Sequence, residues 1–159
     1  MGTVADVALA WAQQGRFVIP VKYGTKDILR PAWQELRITP ETVPDYFNGA
    51  PSNIALLPGP SGLADVDLDC AEAVHAGAHL LPATYTYGRA SRPRSHFLYE
   101  CPATKTRKWR DPLRSGKGAT LLELRSEGAY SMLPPSWHPD GEAYERDAVI
   151  RSPAVPVEP

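Results

Sequence analysis

Asp65, Asp67 and Asp69 stand at alternate positions of the apolar run 63–69, Leu-Ala-Asp-Val-Asp-Leu-Asp. On an extended strand, side chains two apart share a face, so the three carboxylates project together at steps of about 7 Å. Leu63 falls on the same face, while Ala64, Val66 and Leu68 are left to hold the other against a core. Like charges at this spacing repel. Two settings relieve them: a bound divalent cation, whose ligands of choice are carboxylate oxygens, or exposure to water on an edge strand. The cation is the more economical explanation.

The type of cation site can be narrowed. Asp65-x-Asp67-x-Asp69 matches the first half of a helix-loop-helix calcium loop, but Cys70 stands where the sharp turn needs glycine. Ala76 stands where the bidentate glutamate belongs, so that reading fails. His75 and His79 have the i, i+4 spacing of zinc ligands, yet neither a glutamate after His75 nor a third ligand accompanies them, which fits surface histidines better.

Two further groups bear on the same chemistry. Glu123 lies inside the apolar stretch Thr120-Leu121-Leu122-Glu123-Leu124-Arg125, with Arg125 two residues on and so on its face. Either the two form an ion pair, or Glu123 is a third metal ligand while the planar fork of Arg125 reaches a phosphate. Arg92-Pro93-Arg94-Ser95-His96 bunches guanidinium, hydroxyl and imidazole at the start of the apolar strand Phe97-Leu98-Tyr99, a plausible cradle for a triphosphate.

Positioning these groups requires a packed core, and 159 residues suffice for one compact domain that buries roughly 70% of its unfolded surface. Cys70 and Cys101 belong to no C-x-x-C pair, which argues against a disulfide framework or structural zinc site and fits a reducing cytoplasm. With no long apolar run and no basic-plus-apolar leader, a soluble cytoplasmic protein is expected. The net charge of −1 hides an asymmetry: residues 89–118 hold nine of the 17 basic residues but two of the 18 acids. Cations interleaved with Phe97 and Trp109 are what a single-stranded nucleic-acid groove uses, and a merely solvated loop is the plainer alternative.

Along the chain, Thr3 caps a helix to about Gln14 that Gly15 stops, and residues 17–21 read as a strand. Residues 23–36 read as a loop. Thr39-Pro40-Glu41 should start a helix running to about Asn48. Residues 53–57 read as a buried strand that turns at Pro58-Gly59-Pro60 into the aspartate strand, and residues 70–80 as a helix, placing Asp69 at a strand's C-terminal end, where α/β proteins bind ligands. Strands are expected at 84–87 and 96–100, and a hairpin joins 121–124 to 129–133 across Glu127-Gly128. Residues 151–159, with three prolines, read as a linker. The expected fold is mixed α/β, of α+β type, with a largely antiparallel sheet.

In this order the pieces resemble the archaeo-eukaryotic primase superfamily, specifically the primase-polymerase (Prim-Pol) domain at the N-terminus of phage and plasmid replication proteins. Ala8-Leu9-Ala10-Trp11-Ala12-Gln13-Gln14-Gly15, Val18-Ile19-Pro20-Val21, Lys26 and Trp33 are similar to that family's N-terminal helix, strand and lysine-bearing loop. Ser61-Gly62-Leu63 leads into a strand like its first motif, in the register that selects Asp67 and Asp69; Asp65 is then an extra acid, beside the ligands or an alternative to one. Ser95 and His96 resemble the second motif, except that the family separates the two by one residue, and Glu123 resembles the acid of the third. Pro134-Pro135-Ser136-Trp137-His138 with Gly141 and Tyr144 is similar to the family's stretch after that third motif.

The resemblance implies a catalytic domain over residues 1–150, with an RNA-recognition-motif-like sheet joined to a small α/β unit, and a tail leading to further domains such as a helicase. It implies a template-dependent primase or polymerase using two Mg²⁺ or Mn²⁺ ions on Asp67, Asp69 and Glu123. His96, Ser95, Arg94 and Arg125 would hold the NTP or dNTP, and Lys105, Arg107, Lys108, Trp109 and Arg110 the single-stranded DNA template and primer. A non-catalytic nucleic-acid-binding module and a metal-dependent nuclease are the rivals.

Overall fold

A computed structural model describes residues 2–116, 118–147 and 155–156. Helix α1 (Val4–Gln13) begins with a reciprocal cap: the Asp6 amide donates to Thr3 Oγ1 and the Thr3 amide to Asp6 Oδ2, at 3.2 and 2.8 Å. Gly15, at φ +71°, turns the chain out of the helix into β1 (Val18–Lys22). β1 pairs antiparallel with β2 (Ser52–Leu56), which pairs with the short β8 (Ser131–Met132), forming a three-stranded sheet. Its Val18, Ile19, Ile54, Ala55 and Leu56 are almost wholly buried and dominate the main core together with Ala8 and Ala12 of α1.

The larger sheet has the order β6-β7-β3-β5-β4-β9: β6 (Arg107–Arg110), β7 (Thr120–Arg125), β3 (Leu63–Leu68), β5 (Arg92–Glu100), β4 (Tyr85–Arg89) and β9 (Glu145–Arg146). All of these pairings are antiparallel, giving the expected α+β fold. The aspartate strand β3 lies centrally, which removes the edge-strand alternative for Asp65 and Asp67; Asp69 follows just past its end. Helix α3 (Ala71–Leu80) follows β3 at once and packs Ala73 and Val74 on the face that holds Leu68, Phe97 and Tyr99. No helix among the described residues is long and apolar enough to cross a membrane.

Four expectations are corrected or extended. The helix expected from Pro40 begins later, as α2 (Val43–Tyr46), because Pro44 has no amide to donate back to residue 40 and is tolerated only in a first turn; Thr39 to Thr42 form a hydrogen-bonded turn instead. The expected hairpin across Glu127-Gly128 is a crossover between sheets, since β7 pairs with β3 and β6 while β8 pairs with β2. The crossover is pinned where the Gly59 amide donates to the Ser126 carbonyl. A Cβ on Gly59 would stand 2.9 Å from the Glu127 nitrogen, so no other residue allows that approach.

The basic stretch, for which a solvated loop was the plainer alternative, contributes β6, an exposed edge strand. In the proline-rich tail, Val155–Pro156 form β10, paired parallel with β5; the rest of 148–159 lies outside the described residues, as does Lys117 of the basic block.

Candidate metal centre and nucleotide site

Register places the functional side chains in one row. Tyr87 of β4 stands opposite His96 of β5, His96 opposite Asp67 of β3, Asp67 opposite Glu123 of β7, and Glu123 opposite Lys108 of β6. Directly opposed residues in a sheet point to the same side, so five strands deliver five side chains to one face. The alternation that makes β3 conspicuous in the sequence thus recurs in its neighbours, where it is legible only once they are paired.

Along β3 the same face runs from core to solvent. Leu63 and Asp65 are 0% exposed and Asp67 is 6% exposed, while Asp69, one residue past the strand, is half-buried. Oxygens of Asp67, Asp69 and Glu123 lie within 4.8 Å of one another. Three hard, anionic donors converging from a strand, its end and a neighbouring strand suit a divalent cation with oxygen preference. Burial and the adjacent Asp67 push the Asp69 carboxyl above its ordinary pKa, the sign of a carboxylate held near like charge.

Cations already meet these acids. Arg125 places Nη2 2.6 Å from Asp67 Oδ2 and Nε 3.1 Å from Glu123 Oε2, Lys108 Nζ lies 3.2 Å from Glu123 Oε1, and Arg92 Nη1 is 3.6 Å from Asp69 Oδ1. Burial opposes the charge on Arg125, but Asp67, Asp65 and Glu123 around it raise its pKa still further above its ordinary value. The ion pair of Glu123 with Arg125 and the clustering of Glu123 with the two aspartates therefore coexist.

His96 is buried and stacked on Tyr87 with ring centroids 4.6 Å apart and planes within 3°. Its Nδ1 lies 2.9 Å from Asp65 Oδ2 and its Nε2 3.6 Å from Asp67 Oδ1. Burial disfavours the imidazolium, yet Asp67 and Asp65 reverse that and hold the pKa above its usual value.

Several expected residues lie elsewhere. Ser95 is buried and, one residue before His96 on the pleat, belongs to the opposite face with Phe97, so it does not reach the site. Arg94, with φ +55°, is paired with Asp147. Phe97 is buried against Leu68 and cannot serve as an exposed stacking ring. Of the basic stretch, Lys105 is exposed beside β6, Lys108 shares the face of Glu123, and Arg107 and Trp109 oppose Leu124 and Leu122 on the other face. All four β6 residues are exposed.

Sequence reasoning did not assign Lys26, Trp33 and Tyr130 to the site. They line a cleft of about 410 Å³ with Lys108, Glu123 and Arg125. The Trp33 and Tyr130 rings meet edge-on at 5.3 Å, and the Tyr130 hydroxyl donates to the Lys26 carbonyl at 2.7 Å. Burial, then Arg125, lowers the Lys26 pKa.

Among curated proteins none matches this chain significantly. The family model for the N-terminal domain of bifunctional DNA primase/polymerases matches residues 8–156, a span that includes every strand of the row just described and all three convergent carboxylates. The chain therefore belongs to the bifunctional DNA primase/polymerase (Prim-Pol) N-terminal family, which gives it a primase/polymerase role in DNA replication.

Proposed function

We propose that this chain is a template-dependent nucleotidyltransferase that makes or extends primers from NTPs or dNTPs on single-stranded DNA. Asp67, Asp69 and Glu123 would hold Mg²⁺ or Mn²⁺ for it. The observation that carries the reading is the convergence of those three carboxylates within 4.8 Å, in one row with the imidazole of His96. Divalent cations bound there would lower the pKa of a primer 3′-hydroxyl and offset the charge of a departing pyrophosphate.

The protein's own groups supply the rest. His96 presents Nε2 beside Asp67, within reach of the phosphates of a nucleotide that shares the cation. Arg125, released from one of its carboxylates, offers a planar fork to the same phosphates, and Arg92 stands by Asp69 at the rim. Arg94 approaches a phosphate only by leaving Asp147. The exposed β6 edge presents Arg107, Lys108, Trp109 and Arg110, with Lys105 beside it, to template phosphates and bases, and Lys108 links that edge to Glu123.

The test is extension of a labelled primer on a DNA template with NTPs or dNTPs and Mg²⁺ or Mn²⁺, comparing wild type with Asp67→Ala/Asp69→Ala. Extension by the wild type alone is expected. Template binding without extension in both proteins would instead identify a non-catalytic DNA-binding module, and template degradation abolished by the substitutions a nuclease.

A further inference from the structure

Asp65 is the most deeply buried acid of the site and has no part in the convergent trio. Its register partner Arg125 turns instead to Asp67 and Glu123. Among the described residues Asp65 Oδ1 is buried without a hydrogen-bond partner, and the one side-chain hydrogen bond of Asp65 is accepted by Oδ2 from His96 Nδ1 at 2.9 Å. A buried carboxylate with an unsatisfied oxygen costs free energy, whereas Leu63, two residues earlier on the same face of the strand, is buried without that cost. The charge of Asp65 favours that of Arg125, but without a hydrogen bond to it among the described residues, so the aim of Oδ2 at His96 needs a further reason.

The surroundings of His96 supply one. Tyr87 covers one face of the ring in a parallel stack at 4.6 Å, and the Tyr144 ring meets it at 6.0 Å with planes inclined by 60°. Stacking fixes the plane of an imidazole but does not choose which nitrogen points outward. A carboxylate on Nδ1 does, because it accepts only from N–H. Nδ1 then carries hydrogen whether the ring is neutral or charged, and Nε2 is the atom left beside Asp67.

We propose that Asp65 is a positioning residue: its carboxylate accepts from His96 Nδ1–H and so turns Nε2 to the cation site, where, when it too carries hydrogen, it donates to the nucleotide phosphates. The role rests on the nucleotidyltransferase reading of that site. Asp65 touches neither substrate nor cation.

Nitrogen NMR of the imidazole rings of the wild-type chain at alkaline pH, with the His96 signals assigned by their loss in His96→Gln, reads the tautomer without altering position 65. Hydrogen on Nδ1 is expected, and hydrogen on Nε2 would overturn the assignment. In parallel, binding of a non-hydrolysable nucleoside triphosphate with Mg²⁺, and of Mn²⁺ alone, is measured for wild type, Asp65→Asn, His96→Gln and the double variant. Each single change should weaken nucleotide binding about tenfold, the scale on which partners of site histidines act. The double variant should be no weaker than His96→Gln, and Mn²⁺ binding by Asp65→Asn should match the wild type.

Losses that multiply would show Asp65 acting apart from His96, and lost Mn²⁺ binding would make it a ligand; either overturns the proposal. A wild type with the Nδ1–H tautomer that binds no nucleotide would overturn the function and leave the pairing standing.

Discussion

The two faces of β3 divide stability from chemistry within one strand. Toward α3, Val66 and Leu68 pack with Phe97, Tyr99, Leu122 and the helix in an apolar layer. Toward the other side, Leu63 joins the main core, the acids Asp65 and Asp67 are buried, and Asp69 emerges at the rim. Burying an acid is unfavourable unless partners or a cation offset it, whereas burying leucine is favourable by itself. The apolar face thus bears the cost of the charged one, and adjacent residues should fail in opposite ways when substituted.

Leu68 and Asp69 put this to the sharpest test. Asp69→Asn should cut primer extension by at least about a thousandfold, since several kcal/mol of transition-state stabilisation go with a lost metal ligand. Its fold should be at least as stable as the wild type, because burial and Asp67 already set the charge of Asp69 against folding. With its folded pKa raised, the wild-type group loses stability as pH rises from the ordinary carboxylate pKa to the raised one, and asparagine removes that loss. Leu68→Ala should do the reverse, costing about 3 kcal/mol of stability while the folded fraction keeps its activity. Urea denaturation and saturating primer-extension rates measure both; a destabilised Asp69→Asn would erase the contrast.

Arg125 refines the comparison, because it is the cation that makes the charged face tolerable without metal. Arg125→Met should destabilise the metal-free protein by about 3 kcal/mol, the scale on which an uncompensated buried charge acts. Mg²⁺ or Mn²⁺ should restore much of that in proportion to the logarithm of its concentration. Thermal denaturation with and without the cation measures both parts. Equal losses in the two conditions would mean that Arg125 acts through packing and not through charge.

How much of this was legible in the sequence depends on which forces are local. The α1 cap, the end of that helix at Gly15, the aspartate strand and the helix after it depend on near neighbours, and residues 3–15 and 63–80 read correctly. The false hairpin arose because turn chemistry at Glu127-Gly128 is local, while the partners of β7 and β8 are decided by sheets far away in sequence. The same limit applied to the site. Alternation and resemblance single out Asp67, Asp69 and Glu123, and the fold brings their oxygens within 4.8 Å of one another. The pairing of Asp65 with His96, the stack of Tyr87 and the cleft of Lys26 depend on register between strands, which no single strand encodes. Ser95 was misplaced because its chemistry was weighed before its parity on the pleat.

Gly88 carries the comparison into the hairpin that aims His96. A Cβ there would lie 2.4 Å from the Arg92 carbonyl oxygen and 2.7 Å from the Arg94 nitrogen, both backbone atoms that cannot step aside cheaply. Gly88→Ala should cost about 2 kcal/mol through that overpacking and raise the KM for nucleotide by displacing β5, with Mn²⁺ binding at Asp67, Asp69 and Glu123 unchanged. An unchanged KM would mean that β5 absorbs the strain before it reaches His96.

The smallest effect is expected farthest from the charged face, at the start of α1. Thr3→Ala removes the acceptor of the Asp6 amide and should cost about 1 kcal/mol, seen as a lower Tm. The Thr3 amide and hydroxyl hold the Asp6 carboxyl below its ordinary pKa, so the carboxylate's contribution is complete above that ordinary value and fades as pH falls through the lowered one. The Tm gap between wild type and Thr3→Ala should therefore narrow in acid, while KM and kcat for primer extension at neutral pH stay alike. A change in either constant would mean that α1, through Trp11 against Tyr85 and Tyr85 against Tyr87, also sets the ring that His96 rests on.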